Sequence, residues 1–99
     1  MKLEFSPDAN IDLAGILEII GRDNPKAALK LVETLETTCF KLAQIRQAGS
    51  DRSDLYPGLR EFSHGNYVIY SLVIESRVLR IVRIMHGARD VKPEDFRNG

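Results

Sequence analysis

Six consecutive residues, Met85-His86-Gly87-Ala88-Arg89-Asp90, form the densest polar cluster of the chain. A histidine titrates near neutral pH and can act as general acid or base. An arginine three positions on can steady a phosphate or carboxylate charge with paired N–H donors. The cluster closes an apolar run that reads as a strand, and a strand end is a good place to present such groups. The plainer alternative is a strand-end histidine followed by solvated loop charges, and spacing alone favours it.

Arginine is the second signal. Residues 1–45 carry five basic residues (Lys2, Arg22, Lys26, Lys30 and Lys41) against seven acidic ones, whereas residues 46–99 carry nine basic and seven acidic, eight of the nine being arginine. Guanidinium groups suit bidentate contact with carboxylate or phosphate. One reading is a sheet face that meets acidic partner groups; the other is arginines that are solvated or paired within the fold. Arg80 and Arg83 interrupt an apolar strand. Strict alternation puts Arg80, Val82, Ile84 and His86 on one face and Leu79, Ile81, Arg83 and Met85 on the other. Neither face is purely apolar, which implies an interior strand. One of the two arginines then lies near the helix-covered side and needs a partner, for which Glu61 and Glu75 are candidates.

Other reactive types carry weaker signals. Cys39 falls on an apolar helical face and reads as a core thiol. His64 sits in a turn. Tyr56, Tyr67 and Tyr70 could stack on RNA bases, but they are equally good sheet residues. There is no glycine-rich phosphate loop, dinucleotide fingerprint or zinc spacing, so no cofactor and no metal are expected.

The elements that must position these groups follow from period and punctuation. Leu3-Glu4-Phe5 alternates, and a strand is expected over 2–5. Ser6-Pro7-Asp8 is a helix start: a capping hydroxyl, a proline at the first helical position and an acid at the positive end. Ile11, Ala14, Leu17 and Ile20 then recur at helical spacing, with Ile16 and Ile19 widening the stripe, and Gly21 ends a helix over 7–21. Asn24-Pro25 repeats the start signal for a helix over 25–45, antiparallel to the first. Residues 46–57 are polar and read as a loop. The period then changes to two, with strands expected over 58–64, 67–75 and 78–86 as an antiparallel meander, and a tail over 87–99. The order β-α-α-β-β-β is a single α+β domain over 1–99. An N-terminal helical hairpin covers one face of a small, mostly antiparallel sheet that the first strand must join.

Composition narrows the function classes. The chain has 99 residues, 43% of them hydrophobic and 28% charged, as in soluble globular domains. Lys+Arg and Asp+Glu are 14 each, which weighs against a broadly basic nucleic-acid binder. One cysteine excludes an internal disulfide. Neither a signal peptide nor a membrane span is evident, so the cytoplasm is expected.

Four segments taken together resemble the ParE/RelE superfamily of prokaryotic toxins, and more narrowly its ParE branch. They are Phe5-Ser6-Pro7-Asp8-Ala9, Gly58-Leu59-Arg60-Glu61-Phe62, Gly65-Asn66-Tyr67-Val68-Ile69-Tyr70 and Ile84-Met85-His86-Gly87-Ala88-Arg89-Asp90. The resemblance covers almost the whole chain. It implies the toxin of a type II toxin–antitoxin pair that inhibits DNA gyrase, is not itself an enzyme, and is neutralised by a ParD-like antitoxin in a hetero-oligomer. DNA binding would then belong to the antitoxin, with no direct sequence-specific nucleic-acid binding here. The alternatives are a RelE-like, metal-independent endonuclease acting on messenger RNA in the ribosome, or a non-toxic homologue.

The RelE pattern fits only in part. Arg89 retains its Gly-x-Arg position, Tyr67 stands where a basic residue is usual, and Phe96 is the nearest aromatic to a terminal catalytic tyrosine. For a nuclease, His86 and Arg89 are the catalytic candidates. For a gyrase inhibitor, Arg60, His86 and Arg89 are the target-binding candidates. Leu31, Leu35, Tyr70, Arg80 and Arg83 are the candidates for antitoxin binding. Arg60 and Asp90 are an alternative structural pair.

Overall fold

A serine hydroxyl ties the first helix to the sheet. Ser6 Oγ accepts from Ala9 N at 3.0 Å as the helix cap and donates to the Val82 carbonyl at 2.7 Å. The computed structural model describes residues 1–97, so the last two residues of the expected tail lie outside the described residues. The elements are β1 (Lys2–Phe5), α1 (Pro7–Gly21), α2 (Pro25–Leu42), β2 (Ser50–Asp51), β3 (Arg60–His64), β4 (Tyr67–Ile74) and β5 (Val78–His86), followed by a 3₁₀ turn at Pro93–Phe96. Asn24 caps α2 by accepting from Ala27 N at 3.1 Å, and Pro25 opens that helix. The α+β class and helical hairpin follow the expectation, and the sheet is five-stranded and mixed, in the order β1-β5-β4-β3-β2. β1 lies parallel to β5 and the other pairs are antiparallel.

Several boundaries differ from the sequence reading. The second helix ends at Leu42, not at residue 45, because Gln44 N and Ile45 N bond to Lys41 and Leu42 carbonyls and tighten the last turn to 3₁₀ spacing. The expected loop contains β2, which pairs Ser50 with Glu61 and Asp51 with Arg60; a two-residue strand carries no readable period. β3 starts at Arg60 because Gly58, at φ +80°, and the Leu59 N to Tyr56 carbonyl bond hold a turn before it. β4 ends at Ile74 because Glu75 and Ser76 adopt φ of 52° and 60° in a turn closed by Arg77 N on the Ile74 carbonyl. Positive φ at both central positions matches the right-handed twist of a hairpin.

The face assignment of β5 also differs. Tyr70 pairs with Arg83 and Ser71 with Ile81, so Val82 is an extra residue and the strand bulges. Alternation therefore restarts. Leu79, Ile81 and Ile84 join Ile69 in a core beneath the helices, with Leu13, Ile16, Leu35 and Cys39. Val82 and Met85 turn to the opposite face and pack with Leu55, Leu59, Tyr70, Leu72 and Phe96. That second core is covered by residues of the 52–58 loop and by the 3₁₀ turn. Phe96 is 1% exposed and meets the Tyr70 ring edge-on, with centroids 4.9 Å apart.

Candidate functional site

Helix α1 carries apolar residues on two sides. Ala9, Leu13 and Ile16 face the core, while Ile11 and Ile19 are each 66% exposed. The helical spacing of Ile11, Ala14, Leu17 and Ile20 predicts Ile11 and Leu17 on the buried stripe. The buried residues are Ala9, Leu13 and Ile16, with Ile20 partly buried against them, so of the expected stripe only Ile16 and Ile20 face the core. Ile11, Gly15 and Ile19 are four residues apart and so form a second stripe. They line a groove of about 300 Å³ whose other side includes Tyr67, His86 and Arg89. A Cβ built on Gly15 would meet nothing within 4 Å, so the groove is open at its middle.

Asp12 anchors this groove. β1 pairs with β5 only as far as Ile81, which leaves the next part of that edge unpaired. The Asp12 carboxylate takes over: Oδ2 accepts from Ile84 N at 2.9 Å, and the two oxygens accept Arg83 Nε and Nη2 at 2.8 and 2.9 Å. Arg83 Nη1 also donates to the Asp95 carbonyl, so one guanidinium joins α1, β5 and the C-terminal turn. Its bonds to Asp12 raise the Arg83 pKa further, keeping it charged at every accessible pH. The partner of Arg83 is thus Asp12, not Glu61 or Glu75. Glu61 instead pairs with Arg52 at 3.0 Å.

His86 is exposed at the end of β5. Its Nδ1 accepts from Ala88 N at 3.1 Å, which leaves Nε2 as the protonated nitrogen of the neutral ring. Tyr67 lies edge-on to it, with centroids 5.4 Å apart. Arg89 pairs with Asp95 at 3.0 Å and keeps a half-exposed side chain. Asp95 Oδ2 also accepts from Lys92 N, so the carboxylate that holds Arg89 closes the C-terminal turn. One weak base and one partly neutralised cation can bind an anion; this pair supplies no second proton-transfer group.

The other candidates are scattered. Arg60 is opposite Ser71 on β4, whereas His86 is opposite Tyr67. At about 3.3 Å per residue this sets them roughly 13 Å apart along the sheet. Arg60 donates to the Ala48 and Gly49 carbonyls and is not paired with Asp90. Leu35 and Tyr70 are 0% and 2% exposed and hold the two cores. Leu31 is half-buried against the helix-side core. Arg80 pairs with Glu4 at 2.8 Å. His64 Nδ1 lies 3.4 Å from Thr38 Oγ1. Burial pushes the Cys39 thiol up to about 12, as a core thiol requires. Sequence reasoning missed Asp12 and Asp95. It also missed the second α1 stripe, whose signal was an excess of isoleucine for a helix with one buried face.

A helical hairpin on a mixed five-stranded sheet, with an open apolar groove flanked by His86 and Arg89, defines a small α+β domain. Among the described residues, no helix is long and apolar enough to cross a membrane, and no cluster of three His, Cys, Asp or Glu could hold a metal ion. The family model described as "ParE toxin of type II toxin-antitoxin system, parDE" matches residues 3–91, and the chain belongs to this family of toxins. Its fold is similar to that of a chain in the solved chromosomal ParDE toxin–antitoxin system from P. aeruginosa. The TM-score is 0.72 at 24% identity, covering 87% of this chain and 95% of that one. A search of curated proteins gave no match.

Proposed function

We propose that the chain arrests growth by binding DNA gyrase and that a ParD-like antitoxin neutralises it by laying an apolar segment into the α1 groove. The observation that carries this reading is the outward stripe of Ile11, Gly15 and Ile19 beside His86 and Arg89. Covering an aliphatic side chain is worth about 1.5–3 kcal/mol when complete. Burying the exposed two-thirds of Ile11 and of Ile19 would therefore contribute roughly 1–2 kcal/mol each. His86 offers an exposed imidazole at the groove and Arg89 a half-exposed guanidinium, which suits an acidic group on the target. Arg60 joins the same target interface only if that interface runs the length of the sheet. Leu35 lies in the core beneath the helices and Tyr70 in the core on the opposite sheet face, so in this reading Ile11 and Ile19 replace them as anchors.

Controlled expression of the chain alone in bacteria tests the target. Filamentation, an induced DNA-damage response and loss of plasmid supercoiling are expected. Arg89→Ala should weaken toxicity while antitoxin binding persists. Full toxicity in that variant would remove Arg89 from the target surface. Ile19→Glu should lose antitoxin binding at unchanged fold stability, and wild-type affinity would empty the groove of its role. A second reading has one observation in its favour: Tyr67, His86 and Arg89 line the same groove, as RNA cleavage without metal would need. Phe96 argues against it, because this nearest aromatic lacks a hydroxyl and lies in the core. Growth arrest with normal supercoiling and cut messages would replace the gyrase reading with the nuclease.

A further inference from the structure

A second cleft, of about 670 Å³, opens where the C-terminal end of α2 meets β3 and the far end of β4. That volume falls within the usual range for small-molecule sites, about 300–1,000 Å³. Its walls include Ile45, Pro57, Leu72 and Val73, with Arg46 and Arg60 among them, and none of its lining residues is Asp or Glu. Ile45 and Val73 are 51% and 43% exposed, so apolar surface is offered to whatever enters.

The two arginines differ from the others at the sheet. Arg52, Arg80, Arg83 and Arg89 each meet a carboxylate. Arg60 is held by two neutral carbonyls: Nε donates to Ala48 at 2.9 Å and Nη2 to Gly49. These bonds orient the guanidinium without cancelling its charge, and Nη1 has no partner among the described residues. Its cross-strand neighbour Asp51 forms no ion pair or hydrogen bond with it: that carboxylate accepts from Ser53 N and Oγ, and Arg60 acts on it only by a weaker charge–charge attraction. The Arg46 side chain has no hydrogen bond or ion pair among the described residues and is exposed. A guanidinium oriented by carbonyls, with no carboxylate hydrogen-bonded to it, beside apolar walls favours a ligand with one anionic end.

We propose that this cleft binds an amphiphilic anion: a carboxylate or phosphate on a short apolar body. Arg60 and Arg46 meet the charge, and Val73, Ile45 and Pro57 meet the apolar part. The site is remote from the α1 groove and does not depend on the gyrase or antitoxin reading. The test is a titration of the whole ¹⁵N-labelled chain, followed by amide shifts, with three probes of equal chain length: octanoate, octyl phosphate and octylammonium. Saturable shifts are expected at Arg46, Gly58, Val73 and Ser76 with one or both anions, and none there with the ammonium. Tighter binding of octyl phosphate assigns the site to phosphates, and equal or tighter octanoate to carboxylates. Arg60→Gln should weaken binding about tenfold or more. Because Arg60 also holds the 48–49 backbone, Arg46→Gln and Val73→Glu are the controls, each expected to weaken binding with an unchanged melt. Equal shifts with octylammonium, shifts confined to Ile11 and Ile19, or wild-type affinity in both control variants would overturn the proposal.

Discussion

Asp12→Ala should be among the most damaging single changes outside the apolar core. The Asp12 and Arg83 side chains are only 12% and 15% exposed, and they meet through two N–H···O bonds of 2.8 and 2.9 Å. Removing one partner of a buried pair costs about 3–5 kcal/mol, chiefly by leaving the other charge unpaired. The incomplete burial lowers that figure, while the lost acceptor for Ile84 N raises it by about 1 kcal/mol. A net loss of about 3 kcal/mol follows, out of a total of about 5–15 kcal/mol for a domain of this length. The melting temperature should fall by about 12–24 °C at about 4–8 °C per kcal/mol. Urea unfolding followed by far-UV circular dichroism measures the loss directly. Asp12→Asn keeps a neutral acceptor for the β5 edge and should lose less. The double variant Asp12→Leu with Arg83→Met removes both charges and should be more stable than Asp12→Ala alone. A loss below about 1 kcal/mol in Asp12→Ala would refute the claim that this carboxylate completes the sheet edge.

Three further changes probe other parts of the fold. Phe96→Ala should cost about 3–5 kcal/mol by emptying the second core, read as a lower urea midpoint; a near-neutral result would mean the C-terminal turn does not pack there in solution. Ser76→Gly should stabilise by up to about 1 kcal/mol, since glycine adopts the observed positive φ without a Cβ penalty, and a lower melting temperature would contradict the turn geometry. Cys39 makes a pH prediction. The folded thiol keeps its proton up to about 12, whereas the unfolded thiol loses it near 9.0. Between those values the folded state binds more protons, so stability is unaffected below the window and falls as pH rises through it, by up to about 1.4 kcal/mol per pH unit. Cys39→Ala should flatten that slope in alkaline denaturation curves, and an unchanged slope would assign it to other groups such as Tyr70, whose pKa burial also raises.

The elements were legible where a local signal coincided with a global one. Ser6-Pro7 and Asn24-Pro25 carry capping chemistry beside an apolar period, and both helices begin there. Four of the five strands, β1 and β3 to β5, were visible because a period of two survives in sequence. What failed were features decided by contacts far along the chain. The bulge at Val82 shifts Ile84 and Met85 to opposite faces from those alternation assigned. It arises where β1 ends and α1 turns across β5, with Ser6 Oγ bonded to the Val82 carbonyl. Nothing in the local run Leu79 to Met85 marks that position. The end of α2 was overrun for a related reason: Ile45 fits a helical stripe by spacing, but the chain has already tightened and left it exposed.

The site was legible in residue types more than in partners. His86 and Arg89 were singled out by density alone, and they line one groove. One of Arg80 and Arg83 was expected to need an acid, with Glu61 and Glu75 as candidates; Arg83 meets Asp12 of α1, 71 positions away, and Arg80 meets Glu4. Charge composition could not separate arginines that close the fold from those that face outward, because the distinction lies in the acceptor. Arg83 bonds to a carboxylate and is neutralised; Arg60 bonds to peptide carbonyls, and no carboxylate hydrogen-bonds to it. The same distinction bears on function. Near the α1 groove, Asp12 and Asp95 already occupy Arg83 and Arg89, so the proposed recognition there rests mainly on the exposed isoleucines. At the other end of the sheet, an oriented cation beside apolar walls makes charge the selective element. The two proposed surfaces thus make different demands on a ligand: shape and apolar area at one, an anionic group at the other.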